Sequence, residues 1–361
     1  MEEKSVVIVG ATGSIGTQTV EVLKKLKGFK LLGFTYHKNE KKAKDILRLF
    51  PQAKAFSTQK GFESFFNFVE HIKPDIAVLA IPGFEGFKVA MKLIPVVKRL
   101  ALANKESLVC GGKFIKEKIK ESGTELIPVD SEHSAIFQLI EEDVEKIAIT
   151  ASGGALRDIP INELWSAKPE DVLKHPVWNM GARITVDSAT MVNKAFEVLE
   201  AMELFSLKRD QIEVFVHKSS IVHGMVFLKD GTVKIHAAIP DMRVPIAYSL
   251  TYPERVYEYK EYPKFSILEF KKVERRRYPL FFLVDDIYSS YALRTAFNAA
   301  DEVAVDAFLN GRISYKNLVK TVEKVVGKMK KSTVKTVEEL EEIDREARAL
   351  AEEVIKDVSE D

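Results

Sequence analysis

The chain contains a single cysteine, Cys110, in 361 residues. One cysteine excludes an intramolecular disulfide framework and any metal site built from several thiolates. The sequence also lacks an apolar run of the roughly 18 residues that a membrane-spanning helix needs. The apolar run Val6–Val9 near the N-terminus is too short for a signal peptide and ends at a glycine. We therefore expect a cytoplasmic protein with no membrane partner.

A surplus of either charge is also absent, because 54 Lys and Arg residues face 53 Asp and Glu residues. This balance leaves no electrostatic footprint for nucleic acid, so we expect small molecules or a second subunit as partners. A hydrophobic fraction of 46% is enough for extensive cores. Since single cores stop growing near about 250 residues, a chain of this length suggests two or three domains.

Apolar runs alternate with helical patterns in the first third of the chain, which favours βαβ units in a parallel sheet. The predicted strands are Val6–Val9, Leu31–Thr35, Ile76–Ala80, Leu100–Ala103 and Leu126–Val129, and a second region adds Lys146–Thr150, Glu213–Val216, Val222–Phe227 and Val233–Ala238. The fold class is therefore α/β. We expect a doubly wound, Rossmann-like sheet over 1–130, a central α+β catalytic domain over 131–250, an extended linker over 251–278 and a helical domain over 279–361.

A glycine-rich turn follows the first predicted strand and opens a helix. Gly10, Gly13 and Gly16 have the spacing G-x-x-G-x-x-G, which lets backbone N–H groups approach a pyrophosphate. After the second strand the chain has Lys38 and Asn39 where an NAD-selective protein places an acid, which favours the 2′-phosphate of NADP. A merely structural turn and an ordinary surface lysine remain alternative interpretations.

Acidic side chains close the last strand of the first domain. Asp130 and Glu132 point to the same side of an extended chain, and two adjacent carboxylates repel unless a cation holds them. With Glu197 they offer three hard oxygen ligands, which suit Mg²⁺ or Mn²⁺. A helix N-terminus capped by Ser131, with acids favoured by the helix dipole, is the alternative.

The segment Ile184–Glu197 places hydroxyls, an amide, an ammonium and a carboxylate on what we interpret as a loop entering a helix. Asn193, Lys194 and Glu197 are three or four residues apart, so they share one helical face beside an anion pocket. A solvated face with one ion pair is the alternative. Upstream, the Ser152-Gly-Gly run and the polar, aromatic loop around Trp178 also suggest an anion site and a water-excluding flap.

These segments together resemble the 1-deoxy-D-xylulose 5-phosphate reductoisomerase family, the NADPH-dependent enzymes of the non-mevalonate isoprenoid pathway. The resemblance covers essentially the whole chain. The motifs that carry it occur in the family's order and are GATGSIG, LANKES, PVDSEHSAIFQ, TASGG, KHPVWNMG, ITVDSATMVNKAFEVLEA, SSIVHGMV, PDMRVPIA and FNAADEVAVDAFL.

The resemblance assigns roles to individual residues. It implies Asp130, Glu132 and Glu197 as metal ligands for Mg²⁺, Mn²⁺ or Co²⁺, and Lys105 and His175 beside them as catalytic groups. Contacts to the phosphorylated substrate would come from Lys105, Ser131, Glu132, Ser152, His175, Trp178, Ser188, Asn193, Lys194 and Glu197. Contacts to NADPH would come from Gly10, Thr12, Gly13, Ser14, Ile15, Lys38, Asn39, Asn104, Glu106, Met180 and Gly181. The family resemblance also implies a homodimer.

Two departures from the family pattern lie near the expected substrate. Ala155 and Leu156 stand where many relatives have Pro-Phe, and His217-Lys218-Ser219 replaces a more usual His-Pro-Gln. Neither removes a residue with an implied role, so we expect them to affect substrate affinity more than reaction type.

Two other functions fit parts of the sequence. A semialdehyde dehydrogenase would use the same cofactor, but it needs a thiol nucleophile, and Cys110 lies outside every motif. A nucleotide-sensing regulator would need a basic DNA-binding face or degraded acids, and the chain shows neither. The family resemblance implies instead an enzyme that rearranges a metal-chelated hydroxyketone phosphate to an aldehyde, which NADPH then reduces.

Overall fold

A computed structural model describes residues 3–178 and 180–359. The strands over this part of the chain are β1 (Lys4–Val9), β2 (Phe29–Tyr36), β3 (Lys54–Ser57), β4 (Ile76–Leu79), β5 (Arg99–Leu102), β6 (Glu125–Pro128), β7 (Val144–Ala151), β8 (Ile212–Val216), β9 (Val222–Leu228), β10 (Val233–Ala237) and β11 (Lys271–Lys272). The α-helices are α1 (Ser14–Lys25), α2 (Glu40–Leu49), α3 (Glu63–Ile72), α4 (Phe84–Leu93), α5 (Glu106–Ser122), α6 (Ser131–Leu139), α7 (Ile161–Leu164), α8 (Pro169–Val172), α9 (Ala182–Thr190), α10 (Val192–Phe205), α11 (Arg243–Thr251), α12 (Val284–Ile287), α13 (Tyr291–Leu309), α14 (Tyr315–Lys328) and α15 (Val337–Ser359). Among the described helices, none has both the length and the apolar character needed to cross a membrane.

The chain divides into two compact units. The first contains residues 1–107, 113–134 and 241–262, and the second contains 108–112, 135–240 and 263–361. Each unit has a sheet of its own. The confirmed fold class is therefore mixed α/β, with a parallel sheet in the first unit and a helical C-terminal region in the second.

The first unit is built on a six-stranded parallel sheet in the order β3-β2-β1-β4-β5-β6. The chain moves outward from β1 to β3 and then returns to the other side of β1, so the strand order reverses between β1 and β4. Open α/β sheets bind ligands at such a switch point, beyond the carboxyl ends of the strands. Val6–Val9 and the whole of β4 are buried, as expected for strands covered by helices on both faces.

The return segment, residues 241–262, adds α11 to the first unit, where it packs against α1. Arg99 of β5 donates to the carbonyl oxygens of Ser249, Leu250 and Tyr252 at 3.3, 3.0 and 2.8 Å. The last carbonyl groups of a helix have no partner within the helix itself. The guanidinium of Arg99 therefore caps the C-terminal end of α11.

The second unit contains a five-stranded mixed sheet in the order β10-β9-β7-β8-β11, in which only the β7–β8 pair is parallel. Three helices, α13, α14 and α15, follow this sheet in the sequence and pack against one another. Helix α9 packs against both α10 and α13. Helix α13, which is largely buried, therefore packs against α9, and α9 and α10 together carry the polar segment Ile184–Glu197.

All nine predicted strands form, within two residues of the expected bounds. The predictions omitted β3, whose residues are only partly buried, and β11, which has two residues. The expected loop from Ile184 was wrong, because these residues lie in helix α9, and a left-handed Met191 (φ 64°) separates α9 from α10. On local propensity alone, the hydroxyl-rich composition of α9 favours turns over a helix. Contacts with α10 and α13 stabilise the helix instead.

Candidate active site

The glycine turn lies at the switch point of the first unit. Gly10 has φ 86°, and a Cβ there would lie 2.8 Å from the carbonyl oxygen of Ala80. A Cβ on Gly16 would lie 2.2 Å from the carbonyl oxygen of Gly10, so α1 approaches the turn more closely than a side chain would allow. Gly13 precedes Ser14, the first residue of α1, and offers no side-chain cap. The N-terminus of α1 is thus open for the pyrophosphate of a dinucleotide.

The exposed segment after β2 contains Lys38 and Asn39. Asn39 caps α2, because its Oδ1 accepts the N–H of Lys42 at 3.0 Å. Lys42 Nζ in turn lies 3.4 Å from the carbonyl oxygen of Thr12 in the glycine turn. Positive charge therefore stands beside the turn at the place where a 2′-phosphate would distinguish NADP from NAD.

Asn104 and Glu106 join the turns that follow β4 and β5. Asn104 is 2% exposed, and its Nδ2 donates to the carbonyl oxygen of Ile81 at 2.9 Å and to Glu106 Oε2 at 2.9 Å. Glu106 Oε1 accepts the N–H of Gly83 at 2.7 Å. Asn104 Oδ1 also accepts the N–H of Ser107, in the first turn of α5, at 2.8 Å. Both side chains hold the turns at the carboxyl edge of the sheet, where open α/β sheets bind ligands.

Asp130 lies two residues beyond the end of β6 and caps α6. Its Oδ1 accepts the N–H groups of Glu132 at 3.1 Å and His133 at 3.3 Å, while Ser131 Oγ donates to Glu132 Oε2 at 2.6 Å. The alternative interpretation, in which Ser131 caps this helix, therefore named the wrong residue, because the cap is Asp130. Asp130 Oδ2 accepts from Lys105 Nζ at 2.5 Å, and both side chains are buried. The pair places one negative and one positive group at the strand ends of the first unit.

In the second unit, Glu197 is 1% exposed on α10. Its Oε1 accepts from Asn193 Nδ2 at 2.7 Å, and its Oε2 accepts from Lys194 Nζ. The structure therefore contradicts the alternative of a solvated helical face, because this ion pair is buried. A carboxylate held on both oxygens has a fixed orientation, as a metal ligand requires.

Ser152 and His175 meet beyond the end of β7, where Ser152 Oγ and His175 Nε2 are 2.9 Å apart. His175 Nδ1 accepts the N–H of Trp178 at 2.8 Å, so the ring hydrogen is on Nε2 and is donated to Ser152. Burial, together with the positive charge of Arg157, lowers the pKa of His175 to about 4. The imidazole is therefore neutral and has one defined tautomer at neutral pH.

Ser188 lies on α9, directly against the Ser152 turn. A Cβ on Gly154 would lie 2.6 Å from the carbonyl oxygen of Ser188, so only glycine allows this close approach. On the flap, the Trp178 ring centroid lies 6.2 Å from that of His223. Met180 and Gly181 lead directly into α9. Ser152, Ser188, His175 and the flap thus meet around one turn of the second unit.

Two arginines in the second unit had no signal in the sequence. Arg157 donates to the carbonyl oxygens of Ser152 and Lys218, and Arg183 reaches Asp301 of α13. A lone arginine in a loop or on a helix has no distinctive spacing, so only the folded chain reveals these contacts. Both lie next to residues whose roles the sequence did indicate.

The strand order and the buried polar groups define a class of protein. A parallel sheet with a glycine turn at its switch point, together with buried lysine–carboxylate pairs and a hydroxyl-lined turn, is typical of dinucleotide-dependent enzymes that act on anionic substrates. Within that class, the chain belongs to the 1-deoxy-D-xylulose 5-phosphate reductoisomerase family. The sequence profile of that family matches residues 6–60 and 51–112, and profiles of its C-terminal domains match 126–205 and 238–350.

Relatives and solved structures agree with this membership. The chain is 52% identical to 1-deoxy-D-xylulose 5-phosphate reductoisomerase from Thermotoga maritima, over 98% of both chains, and 50% identical to the enzyme from Pseudothermotoga lettingae, over 99% of both. The enzyme from Zymomonas mobilis in complex with NADPH superposes with a TM-score of 0.88 at 32% identity, covering 98% of this chain and 99% of that one. A reductoisomerase structure with NADPH, fosmidomycin and magnesium gives a TM-score of 0.90 at 28% identity over 98% of each chain.

Proposed function

We propose that this protein converts 1-deoxy-D-xylulose 5-phosphate into 2-C-methyl-D-erythritol 4-phosphate, using NADPH and a divalent metal ion, in isoprenoid precursor biosynthesis. The observation that carries this proposal is the 52% identity to a reductoisomerase over 98% of both chains. The enzyme is an NADP-dependent oxidoreductase that first rearranges the carbon skeleton of a sugar phosphate. The rearrangement gives an aldehyde, and a hydride from NADPH and a proton then reduce it to the alcohol.

NADPH fits the first unit. The open N-terminus of α1 and the close approach at Gly10 favour a pyrophosphate at the glycine turn, and the exposed Lys38 favours the 2′-phosphate. The residues we assign to the cofactor are Gly10, Thr12, Gly13, Ser14, Ile15, Lys38, Asn39, Asn104, Glu106, Met180 and Gly181. The contribution of Asn104 and Glu106 is to shape the turns, because their polar atoms bond to protein groups.

A divalent ion suits the acidic residues. We assign Asp130, Glu132 and Glu197 as its ligands, because carboxylate oxygens are the donors that Mg²⁺ and Mn²⁺ prefer. When bound, such an ion supplies Lewis-acid stabilisation of charge that develops on substrate oxygens. Lys105 and Lys194 compensate the buried carboxylates, and Lys105 adds positive charge next to the reacting oxygens. Ser131 is the assigned contact of the substrate hydroxyl groups.

The phosphate of the substrate fits the second unit. We assign Ser152, Ser188, Asn193 and Lys194 as its contacts, with His175 orienting the hydroxyl of Ser152. The phosphate takes no part in the bond changes. Its binding energy instead closes the loop of Trp178 over the substrate and excludes water.

The assembly and location are part of the same proposal. We expect a homodimer in the cytoplasm. The outer face of the edge strand β10 supports a dimer, because Val233 and Ile235 are 44% and 46% exposed, and an edge strand with apolar side chains is a site for association. Light scattering on the purified protein measures its molar mass and so tests the dimer. A mass of one chain at all concentrations would contradict the dimer.

The decisive experiment follows NADPH absorbance after addition of 1-deoxy-D-xylulose 5-phosphate, with Mg²⁺ or Mn²⁺ present and then with the metal chelated. We expect metal-dependent oxidation that yields the branched methylerythritol phosphate. If the protein binds NADPH but never oxidises it with this substrate under any metal condition, the cofactor assignment remains and the substrate assignment is wrong.

A further inference from the structure

Arg157 joins two turns in the second unit. Its Nη1 donates to the carbonyl oxygen of Ser152 at 2.8 Å and to that of Lys218 at 3.0 Å. Ser152 follows the end of β7 and Lys218 follows the end of β8, and these two strands are parallel neighbours. The side chain of Arg157 is only 15% exposed. One guanidinium therefore connects the carboxyl ends of two adjacent strands.

We propose that Arg157 is a positioning residue for the substrate phosphate, because it fixes the main chain of Ser152 and thereby the direction of the Ser152 hydroxyl. This inference rests on the proposed function, in which Ser152 contacts that phosphate. Arg157 itself donates to two main-chain oxygens through Nη1 and pairs with Asp158 through Nε at 3.4 Å, so it acts on the phosphate site through the Ser152 turn.

The hydroxyl of Ser152 is a directed donor. Its Oγ receives two hydrogen bonds, from His175 Nε2–H at 2.9 Å and from the N–H of Gly154 at 3.1 Å. A hydroxyl has one hydrogen to donate, and with both acceptor positions of the oxygen occupied this hydrogen points away from His175 and Gly154. A phosphate oxygen is a strong acceptor for it. The arrangement works only while the Ser152 turn keeps its position relative to His175.

The turn needs external support, because its conformation is uncommon. Gly153 and Gly154 have φ values of 84° and 70°, so the chain passes through the left-handed region twice in succession. Tyr278 holds the first of these residues by donating from its hydroxyl to the carbonyl oxygen of Gly153 at 2.8 Å. Arg157 holds the preceding carbonyl. The two side chains act on consecutive peptide groups of the same turn.

The charge of Arg157 has a second effect on the same group. Together with burial, which is the larger cause, it lowers the pKa of His175. A protonated imidazole would donate from both nitrogens and would lose the hydrogen bond from the N–H of Trp178 to Nδ1. Arg157 therefore favours the neutral tautomer that links the flap to Ser152.

The test is a double-mutant cycle of Arg157→Gln and Ser152→Ala on the full-length enzyme. We expect Arg157→Gln to raise KM for 1-deoxy-D-xylulose 5-phosphate by about tenfold or more while kcat changes by less than about threefold. Because Arg157 acts through Ser152, the double variant should stay within about twofold of the worse single variant. The exposed Arg276, with the same substitution to Gln, is the matched control and should leave KM unchanged.

The outcomes that overturn the inference are distinct from those that overturn the function. A wild-type enzyme that is active with this substrate, with an Arg157→Gln variant whose KM is unchanged or whose effect multiplies with that of Ser152→Ala, refutes the positioning role alone. Inorganic phosphate, titrated by calorimetry, gives a readout without turnover, and its Kd should rise in Arg157→Gln but not in Arg276→Gln. An equal Kd in all three proteins also refutes the role.

A folding defect does not prevent the test. If circular dichroism shows that Arg157→Gln is unfolded, Arg157→Lys takes its place, because the amine keeps the charge. A rise in KM that does not multiply with that of Ser152→Ala then supports the positioning role, because lysine does not reproduce an arginine that bridges two carbonyl oxygens, whereas a KM equal to that of the wild type overturns it. A rise that multiplies overturns it.

Discussion

Glu197 carries the sharpest prediction for a single residue. Its two oxygens bond to Asn193 and Lys194, and it is 1% exposed, so Gln at this position can keep the shape while removing the charge. If Glu197 is a metal ligand, Glu197→Gln should lower kcat by about 10³-fold or more, since charge stabilisation by the ion depends on that ligand. NADPH oxidation measures kcat, and fluorescence titration of NADPH, whose Kd should not change, measures cofactor binding.

Glu163→Gln is the control for this substitution, because Glu163 lies on the same unit and is exposed. It should retain wild-type kcat. An equal loss of turnover and of NADPH binding in Glu197→Gln would indicate a general structural defect and would count against the metal assignment.

Side chains differed in how well the sequence could predict them. Ser152, His175 and Glu197 lie in dense polar motifs, so their chemistry was visible before the fold. Asp130 was visible as an acid but not as the cap of α6, because capping depends on where the helix begins by one residue. Arg157 could not be predicted, because its contact with Lys218 spans 61 positions. The reactive side chains of a site thus lie in short sequence motifs, while the residues that hold them in position can lie far away in the sequence.

At the scale of elements, a partly buried network of arginines and acidic side chains joins α9 to α13. Arg183 of α9 lies 3.8 Å from Asp301 and 3.4 Å from Glu302, both on α13, and Glu302 in turn pairs with Arg348 of α15 at 2.8 Å. Asp187 of α9 also interacts with Asp301, which is fully buried. Because α9 carries Ser188, this network fixes one side of the proposed phosphate site. Composition alone favoured a loop here, and these long-range contacts explain the helix.

The pKa of Asp301 gives a pH-dependent prediction. Burial and the neighbouring charge of Asp187 raise the pKa of Asp301 well above 3.8, so the folded protein keeps a proton that the unfolded chain releases. The free energy of unfolding therefore falls as pH rises above about 3.8, until the folded group ionises as well. Asp301→Asn stays neutral and removes this loss. We expect it to raise Tm at pH 8 by roughly 2 °C or more, by scanning calorimetry.

The same comparison at low pH is the internal control for Asp301→Asn. Near pH 4 both side chains are neutral, so the Tm difference between variant and wild type should shrink. If the variant is less stable than the wild type at both pH values, the hydrogen-bonding geometry of the acid matters more than its charge, and the account of this pair is wrong.

At the scale of the whole molecule, the parallel arrangement of the first sheet could be predicted from apolar runs that alternate with helices, because that pattern permits few topologies. The return of residues 241–262 to the first unit leaves no periodic signal. Arg99 binds this segment, and its contacts with Ser249 and Leu250 span 150 and 151 positions. A pattern of hydrophobic residues does not contain contacts of this kind, which individual buried polar groups make over long sequence separations.

Arg99 therefore provides a test of how the return segment is held. Its side chain is 11% exposed, and its guanidinium pairs with Glu125 at 2.6 Å and caps two carbonyl groups of α11 and that of Tyr252, the residue that follows the helix. Arg99→Gln leaves those carbonyl groups and Glu125 without their charged donor, which should cost about 2–4 kcal/mol of unfolding free energy. Urea unfolding measures this loss. The exposed Arg48, changed to Gln, is the control and should cost less than about 0.5 kcal/mol.

Limited proteolysis separates local release of this segment from a general loss of stability. In Arg99→Gln we expect faster cleavage between Glu254 and Lys264, where most side chains are exposed, at temperatures well below global unfolding. Helix α11 then loses its C-terminal anchor while the six-stranded sheet persists, so circular dichroism should change little. Cleavage at the wild-type rate in a variant that is nonetheless destabilised would mean that packing of α11 against α1, and not the arginine cap, holds the return segment in place.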